Sequence, residues 1–177
     1  MYNDTDKFID IPELNTVKSD ILLLRELLFS DDISETKNRL WIFKHKLSNQ
    51  ETFNDFGFLV SIRISEYSSI LKEYDANVGN KLLRLVSDFI INYMKEHQQD
   101  HEIVRYMEDN FLIFMHGMNE DEVEEQIANM QKEMSNYTFK HRNKVFQLTF
   151  YSAVMQYIKN ESFSSVLDQL DEKLFHQ

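Results

Sequence analysis

Glu102-Ile103-Val104-Arg105-Tyr106-Met107-Glu108-Asp109-Asn110-Phe111-Leu112-Ile113-Phe114-Met115-His116 is the stretch on which the reading of this chain turns. Two short segments rich in apolar and aromatic residues, Glu102–Met107 and Phe111–His116, flank Glu108-Asp109-Asn110. Three polar residues of that kind reverse a chain readily, because Asp and Asn side chains hydrogen-bond nearby backbone. The pattern predicts a β-hairpin.

Upstream of the hairpin the period changes. Val78 to Met94 carries Leu82, Leu83, Val86, Phe89, Ile90 and Tyr93 at helical spacing, and so do Tyr67, Ile70 and Leu71, with Tyr74-Asp75-Ala76-Asn77 as the turn between them. Phe56 to Ser65 alternates instead: Phe58, Val60, Ile62 and Ile64 against Leu59, Ser61, Arg63 and Ser65. That is a strand with one apolar face and one that turns polar. Before it, Ser48–Asp55 reads as a loop and Glu35–Leu47 as a helix. Downstream, Asn119 can cap a helix running to about Met134, with Glu122 three residues on. Tyr137–Phe139 and Val145–Met155 read as strands joined by the basic turn Lys140-His141-Arg142-Asn143-Lys144, and Ser164–Phe175 as a last helix.

At the other end, residues 1–11 are polar and expected to be flexible. Residues 12–30 read as an amphipathic helix, Pro12 in its first turn, with Leu14, Val17, Ile21, Leu24 and Leu28 on its stripe. Such a helix packs on its own domain or on another copy. Residues 31–177 then form one domain of mixed α/β class. A central, mostly antiparallel sheet is expected, palm-like or ferredoxin-like, with surrounding helices, one covered set of sheet faces, and the extra N-terminal helix.

Composition bounds the function. The chain has 177 residues, of which 19 are Lys or Arg and 30 Asp or Glu, for a formal charge of −11. That balance argues against nucleic acid and anionic membranes as partners. The absence of Cys excludes disulfides, thiolate metal sites and a Cys nucleophile. No apolar run reaches the ~18 residues of a membrane span. The acidic start Met1–Asp6 lacks a signal-peptide pattern, so a cytoplasmic location is expected.

Five phrases in order give the chain a resemblance to the diguanylate cyclase domain known by its GGDEF hairpin. Asp31-Asp32-Ile33-Ser34-Glu35-Thr36-Lys37-Asn38-Arg39 resembles the family's DPLTGLPNR. The family's first strand runs into DxDxFKxxND, and a YGHxxGDxxL phrase follows; Tyr74–Leu83, with Gly79-Asn80 inside it, resembles the second. Arg105-Tyr106-Met107-Glu108-Asp109-Asn110-Phe111 resembles RYGGDEF, Leu148–Val154 resembles TVSIGVA, and Leu170–Phe175 resembles the terminal ADxALY. The resemblance implies a nucleotidyl cyclase core and, in an active member, two Mg²⁺ ions on the triphosphate of GTP.

Measured against that pattern, the chemistry is missing. Counting back from Gly79, Arg63 stands where the resemblance places the first metal-binding Asp, and a guanidinium repels Mg²⁺ rather than ligating it. Met107 and Glu108 replace two glycines that let backbone approach the nucleotide. Asp109 remains as a carboxylate, while Asn110 replaces the following Glu. Leu71 stands for a base-binding Asn and Asn80 for a base-binding Asp; Asn80 can still offer a hydrogen bond. The inhibitory RxxD site corresponds to Gln98-Gln99-Asp100-His101, which lacks the Arg.

The other candidates read as structure. His45, His97, His101, His116, His141 and His176 show no metal-helix spacing. Lys140–Lys144 reads as a hairpin tip, and Glu120–Glu125 lacks the alternation of a Ca²⁺ loop. The expectation is a degenerate, catalytically inactive member of the family that needs no cofactor. It would act as a protein-interaction or regulatory adaptor in bacterial signalling, with a protein partner or a homodimer through the N-terminal helix. The alternative is a receptor for GTP or cyclic di-GMP, with Arg63, Asn80 and Asp109 as contacts in the modified cleft. A divergent active cyclase ranks third.

Overall fold

The period of two in Phe58–Ile64 becomes the central strand of a five-stranded sheet. The computed structural model describes residues 12–97 and 100–175, with side chains from Thr16 onward. In chain order the elements are α1 (Pro12–Phe29), β1 (Lys37–Asn38), α2 (Arg39–His45), β2 (Gly57–Ile64), α3 (Tyr67–Glu73) and α4 (Ala76–Glu96). They continue with β3 (His101–Arg105), β4 (Asn110–Met115), α5 (Glu120–Met134), β5 (Thr138–His141), β6 (Lys144–Gln147), β7 (Phe150–Tyr157) and α6 (Phe163–Phe175). The main sheet runs β1-β3-β4-β2-β7, and β5 and β6 form a separate hairpin. Only β1 lies parallel to its neighbour; the other three pairings are antiparallel. The class is the mixed α/β one expected, with a mainly antiparallel sheet among helices.

One expectation about that sheet is wrong. Both of its faces are covered. Phe58, Val60, Ile62 and Ile64 pack with Phe111, Ile113 and Met115 under α3, α4 and α5. Leu59, Leu112, Phe114, Ala153 and Tyr157 pack on the other face with Trp41 and Ile42 of α2 and Val166 and Leu170 of α6. β2 is therefore buried at every position except Arg63. Ser61, which reads as a surface residue, is 1% exposed and donates to Asn110 Oδ1 at 3.2 Å. A buried hydroxyl needs such a partner, and it has one on the neighbouring strand.

Two boundaries also differ. The helix read from Glu35 begins at Arg39, because Lys37 and Asn38 pair with Val104 and Arg105 as β1 and the Asn38 side chain then caps α2 through Trp41 N. The strand read as Val145–Met155 is two strands, β6 and β7: Leu148 N bonds Tyr137 O at 3.0 Å, still following the β5–β6 register, whereas Phe150 pairs with Ile64 of β2. The α5 cap holds: Asn119 Oδ1 accepts from Glu122 N at 3.0 Å and Glu122 Oε2 from Asn119 N at 2.9 Å. This reciprocal pair satisfies two of the amides a helix start leaves open.

α1 does not pack on the domain along its length. Val17, Ile21, Leu22, Leu23, Leu24, Leu27 and Leu28 are each at least 50% exposed, and among the described apolar side chains of α1 only Phe29, at its end, packs on the core around Trp41. Residues 1–11 lie outside the described residues, and the side chain of Leu14 outside the described side chains.

Candidate functional site

The hairpin tip is fastened by an ion pair that joins two of the family-like phrases. Arg105 donates through one terminal nitrogen to both Asp31 oxygens, at 3.1 and 3.2 Å, and through Nε and the other terminal nitrogen to the Glu108 carbonyl, at 3.3 and 3.0 Å. Asp31 also accepts from Ser34 N and Ser34 Oγ, both at 2.8 Å. Burial alone would raise the Asp31 carboxyl; the Ser34 hydrogen bonds and the Arg105 charge outweigh it and hold the group below its ordinary value. Sequence reading quoted both residues but did not pair them. The only available signal was that each is the charged end of its phrase.

The tip turns without glycine. Tyr106 N donates to Asn110 O at 2.9 Å, and neither Met107 nor Glu108 takes a positive φ. Met107 is 55% exposed, and Phe111 drops fully into the core. Asn110 is buried, facing Arg63 in register across β2 and accepting from Ser61. Asp109 O accepts from Ile64 N at 3.2 Å. Burial raises the Asp109 carboxyl above its ordinary value, against the lowering influence of the Arg63 charge. Arg63, Asp109 and Asn110 thus meet at one end of the sheet. Arg63 also reaches Asp171 of α6, with 3.3 Å between a terminal nitrogen and Oδ1, a partner that sequence reading missed because the two lie 108 residues apart.

Asn80 lies on the first turns of α4. It lines a cavity of about 230 Å³ with Asp32, Ile33, Lys81 and Arg84, without Arg63 or Asp109. Arg84 is held there by Glu35 at 3.0 Å and by the Ile33 carbonyl at 3.1 Å. Of the three residues expected as ligand contacts, Arg63 and Asp109 interact directly at the hairpin end, and Asn80 lines this neighbouring cavity. Leu71 packs on the start of α4 so closely that a Cβ built on Gly79 would lie 2.4 Å from Leu71 Cδ2. Of the RxxD-like stretch, Gln98 and Gln99 lie outside the described residues; Asp100 is exposed, and its carbonyl accepts from His116 N at 3.1 Å.

Among the described residues no group of three or more His, Cys, Asp or Glu side chains is placed to hold a metal ion. No described helix is long and apolar enough to cross a membrane.

Comparison with solved structures places this fold among cyclase domains. The coiled coil and GGDEF domain of DgcB from Caulobacter crescentus, in complex with c-di-GMP, superposes with a TM-score of 0.75 at 16% identity, covering 93% of this chain and 87% of that one. The GGDEF domain of DgcB by itself gives 0.70 at 17% identity and covers 84% of this chain and 88% of that one. Diguanylate cyclase SiaD from Pseudomonas aeruginosa, in complex with its activator SiaC, gives 0.72 at 10% identity, covering 93% of this chain and 64% of that one. At these identities the likeness establishes the fold. No curated protein sequence matches the chain. The family model described as diguanylate cyclase, GGDEF domain, matches residues 29–177, which takes in the Asp31–Arg105 fastening, the hairpin and the last helix: the chain belongs to the GGDEF diguanylate cyclase family.

Proposed function

We propose that this family member is catalytically silent and serves as a protein-interaction or regulatory module in bacterial signalling, pairing through α1. The observation that carries the reading is the position of Arg63. Its guanidinium sits at the end of β2, near enough to act on the Asp109 carboxyl and paired with Asp171. A fixed positive charge beside the single hairpin Asp opposes a divalent cation, and the neutral Asn110 amide, engaged by Ser61, adds no charge to bind one. These donors do not fit a pair of Mg²⁺ ions. Leu71, packed over Gly79, offers only hydrocarbon at the position where the resemblance places a base-binding Asn.

Support for pairing comes from α1. Leu14, Val17, Ile21, Leu24 and Leu28 are spaced three and four apart, the seam of a two-stranded coiled coil. The described members of that seam are exposed. The match to DgcB also reaches further along this chain when the coiled coil of DgcB is included. Burying such a seam contributes on the order of 1.5–3 kcal/mol per large apolar side chain, enough to hold two copies together.

The test has two arms. Incubation with GTP and Mg²⁺, followed by chromatography of the nucleotides, is expected to yield no cyclic di-GMP; product formation overturns silence. Light scattering after size exclusion is expected to show a dimer for the intact chain and a monomer for a chain lacking residues 1–28. A monomeric intact chain removes α1 from the reading.

A second reading, a nucleotide receptor, is favoured by one observation: Asn80 shares its cavity with the cations Lys81 and Arg84. Calorimetric titration with GTP and with cyclic di-GMP separates the two. Saturable heat that is lost in Lys81→Ala supports the receptor; no heat leaves the adaptor.

A further inference from the structure

Away from the hairpin end, α4 and the end of α5 enclose a cavity of about 290 Å³ that the reading above does not use. Phe89 and Tyr93, one helical turn apart on α4, form one wall, with ring centroids 6.0 Å apart and planes inclined by 26°. Tyr137, just past α5, sets its ring against Phe89 at 5.1 Å and 65°. Tyr93 is anchored from behind, its hydroxyl donating to the Gln126 carbonyl at 3.2 Å. Phe89 is only partly buried and Tyr137 is 47% exposed, so aromatic surface opens to the cavity. Leu85, Asn92 and Leu148 share the rest of the lining with the carboxylates of Asp88, Glu96 and Glu133, and no Lys, Arg or His belongs to it; the His97 ring stacks on Tyr93 at 4.2 Å, so the open ring faces are those of Phe89 and Tyr137.

Each alternative occupant meets a physical objection. An anion would face three carboxylates. A neutral apolar ligand would strip water from those carboxylates and return nothing for it. A bare metal ion needs converging oxygen ligands, and these three acids do not form such a group. An organic cation answers both halves of the lining, since its positive charge is attracted to aromatic ring faces and to carboxylates alike, and its weak hydration makes it cheap to enclose. We propose that this cavity is a binding site for the head of an organic monocation, a quaternary ammonium or a guanidinium. The inference is independent of whether the hairpin end is catalytically silent.

The probes are two cations with neutral counterparts of the same shape: choline against 3,3-dimethylbutan-1-ol, and N-acetylarginine amide against N-acetylcitrulline amide. Each is titrated into the full chain at constant ionic strength while the ring resonances of Phe89, Tyr93 and Tyr137 are followed by NMR. The expected result is saturable shifts for at least one cation, with its neutral counterpart at least about tenfold weaker. Tighter choline assigns a small soluble cation as the source; tighter arginine amide assigns the side chain of a protein partner. Tyr137→Ala and Glu133→Gln should each weaken binding about fivefold, whereas Tyr137→Phe, which keeps the ring, should stay within about twofold. Both positions are exposed, and a circular dichroism melt verifies that each variant is folded. Equal binding of cation and neutral counterpart, shifts that never saturate, or full affinity in both Tyr137→Ala and Glu133→Gln would overturn the proposal.

Discussion

Arg63 and Asp171 face each other at 3.3 Å, tying the central strand to the last helix beside the hairpin tip. Both side chains are substantially open to solvent, so the pair is worth little in stability. A double-mutant cycle with Arg63→Ala and Asp171→Ala should give a coupling of about 0.2–1 kcal/mol in urea unfolding, shrinking as salt is added. The electrostatic consequence is the more telling one. Removing the Arg63 charge takes away an influence that lowers the Asp109 carboxyl, so Asp109 should titrate higher still in Arg63→Ala, as read from its carboxyl resonance. An unchanged titration would mean that the guanidinium does not act on Asp109.

The Asp31–Arg105 fastening should matter more, because it is partly buried and doubly hydrogen-bonded. Asp31→Asn is expected to destabilise the fold by about 1–3 kcal/mol. It should also alter the acid limb of stability. The folded carboxyl titrates below its unfolded value, so its ionised form is the one the fold favours. Its contribution is complete above about pH 4 and is lost as pH falls through the lowered value. Urea midpoints from pH 2 to 7 should therefore fall less steeply on the acid side in Asp31→Asn than in the parent.

Two glycines give opposite expectations for alanine. A Cβ on Gly57 would meet the Met115 carbonyl oxygen at 2.6 Å and His116 Nδ1 at 2.9 Å. The carbonyl belongs to the β2–β4 ladder and cannot retreat, so Gly57→Ala should cost about 1–3 kcal/mol. At Gly79 the obstacle is Cδ2 at the end of a Leu71 side chain, which can turn. Gly79 also lies inside α4, where alanine gains about 1 kcal/mol in helix propensity. Gly79→Ala should be the milder change in thermal melts; the reverse order would refute the argument.

Lys46 is 8% exposed, and its ammonium donates to Asp55 Oδ2 and His116 Nε2, both at 2.9 Å. That geometry leaves Nε2 as the acceptor and Nδ1–H as the donor to the Phe56 carbonyl at 3.0 Å. Lys46→Met keeps the stem's packing but leaves Asp55 and His116 without their cation. A loss of about 1–3 kcal/mol is expected, most of it recovered when Asp55→Asn is added.

The hairpin, the α5 capping box and the long amphipathic α4 were legible from the sequence because each depends on residues within a few positions of one another. The cap needs only Asn119 and Glu122, and the hairpin only the polar tip between two apolar runs. The β1 strand was not legible: two residues make no period, and Lys37 and Asn38 become a strand only because β3 lies alongside. Ser61 reads as surface until α2 and α6 cover its face. At the candidate site, the identities of Arg63, Asp109, Asn110 and Leu71 were readable, but the partner of Arg63 was not, since linear spacing places a residue on an element without saying that Asp171 of the last helix comes to meet it.

What the amino-acid sequence determined by itself was the order of elements, the family-like phrases and the charge of each side chain at the hairpin end, all properties of residue type and short-range spacing. The tertiary structure alone decided that both sheet faces are buried, that Arg105 grips Asp31 and Arg63 meets Asp171, and that Phe89, Tyr93 and Tyr137 form a cavity with Asp88, Glu96 and Glu133. Apart from the neighbours on α4, these contacts join residues far apart in the chain, and nothing in the local backbone preference of either partner encodes them. They arise when apolar faces from distant elements pack to leave water.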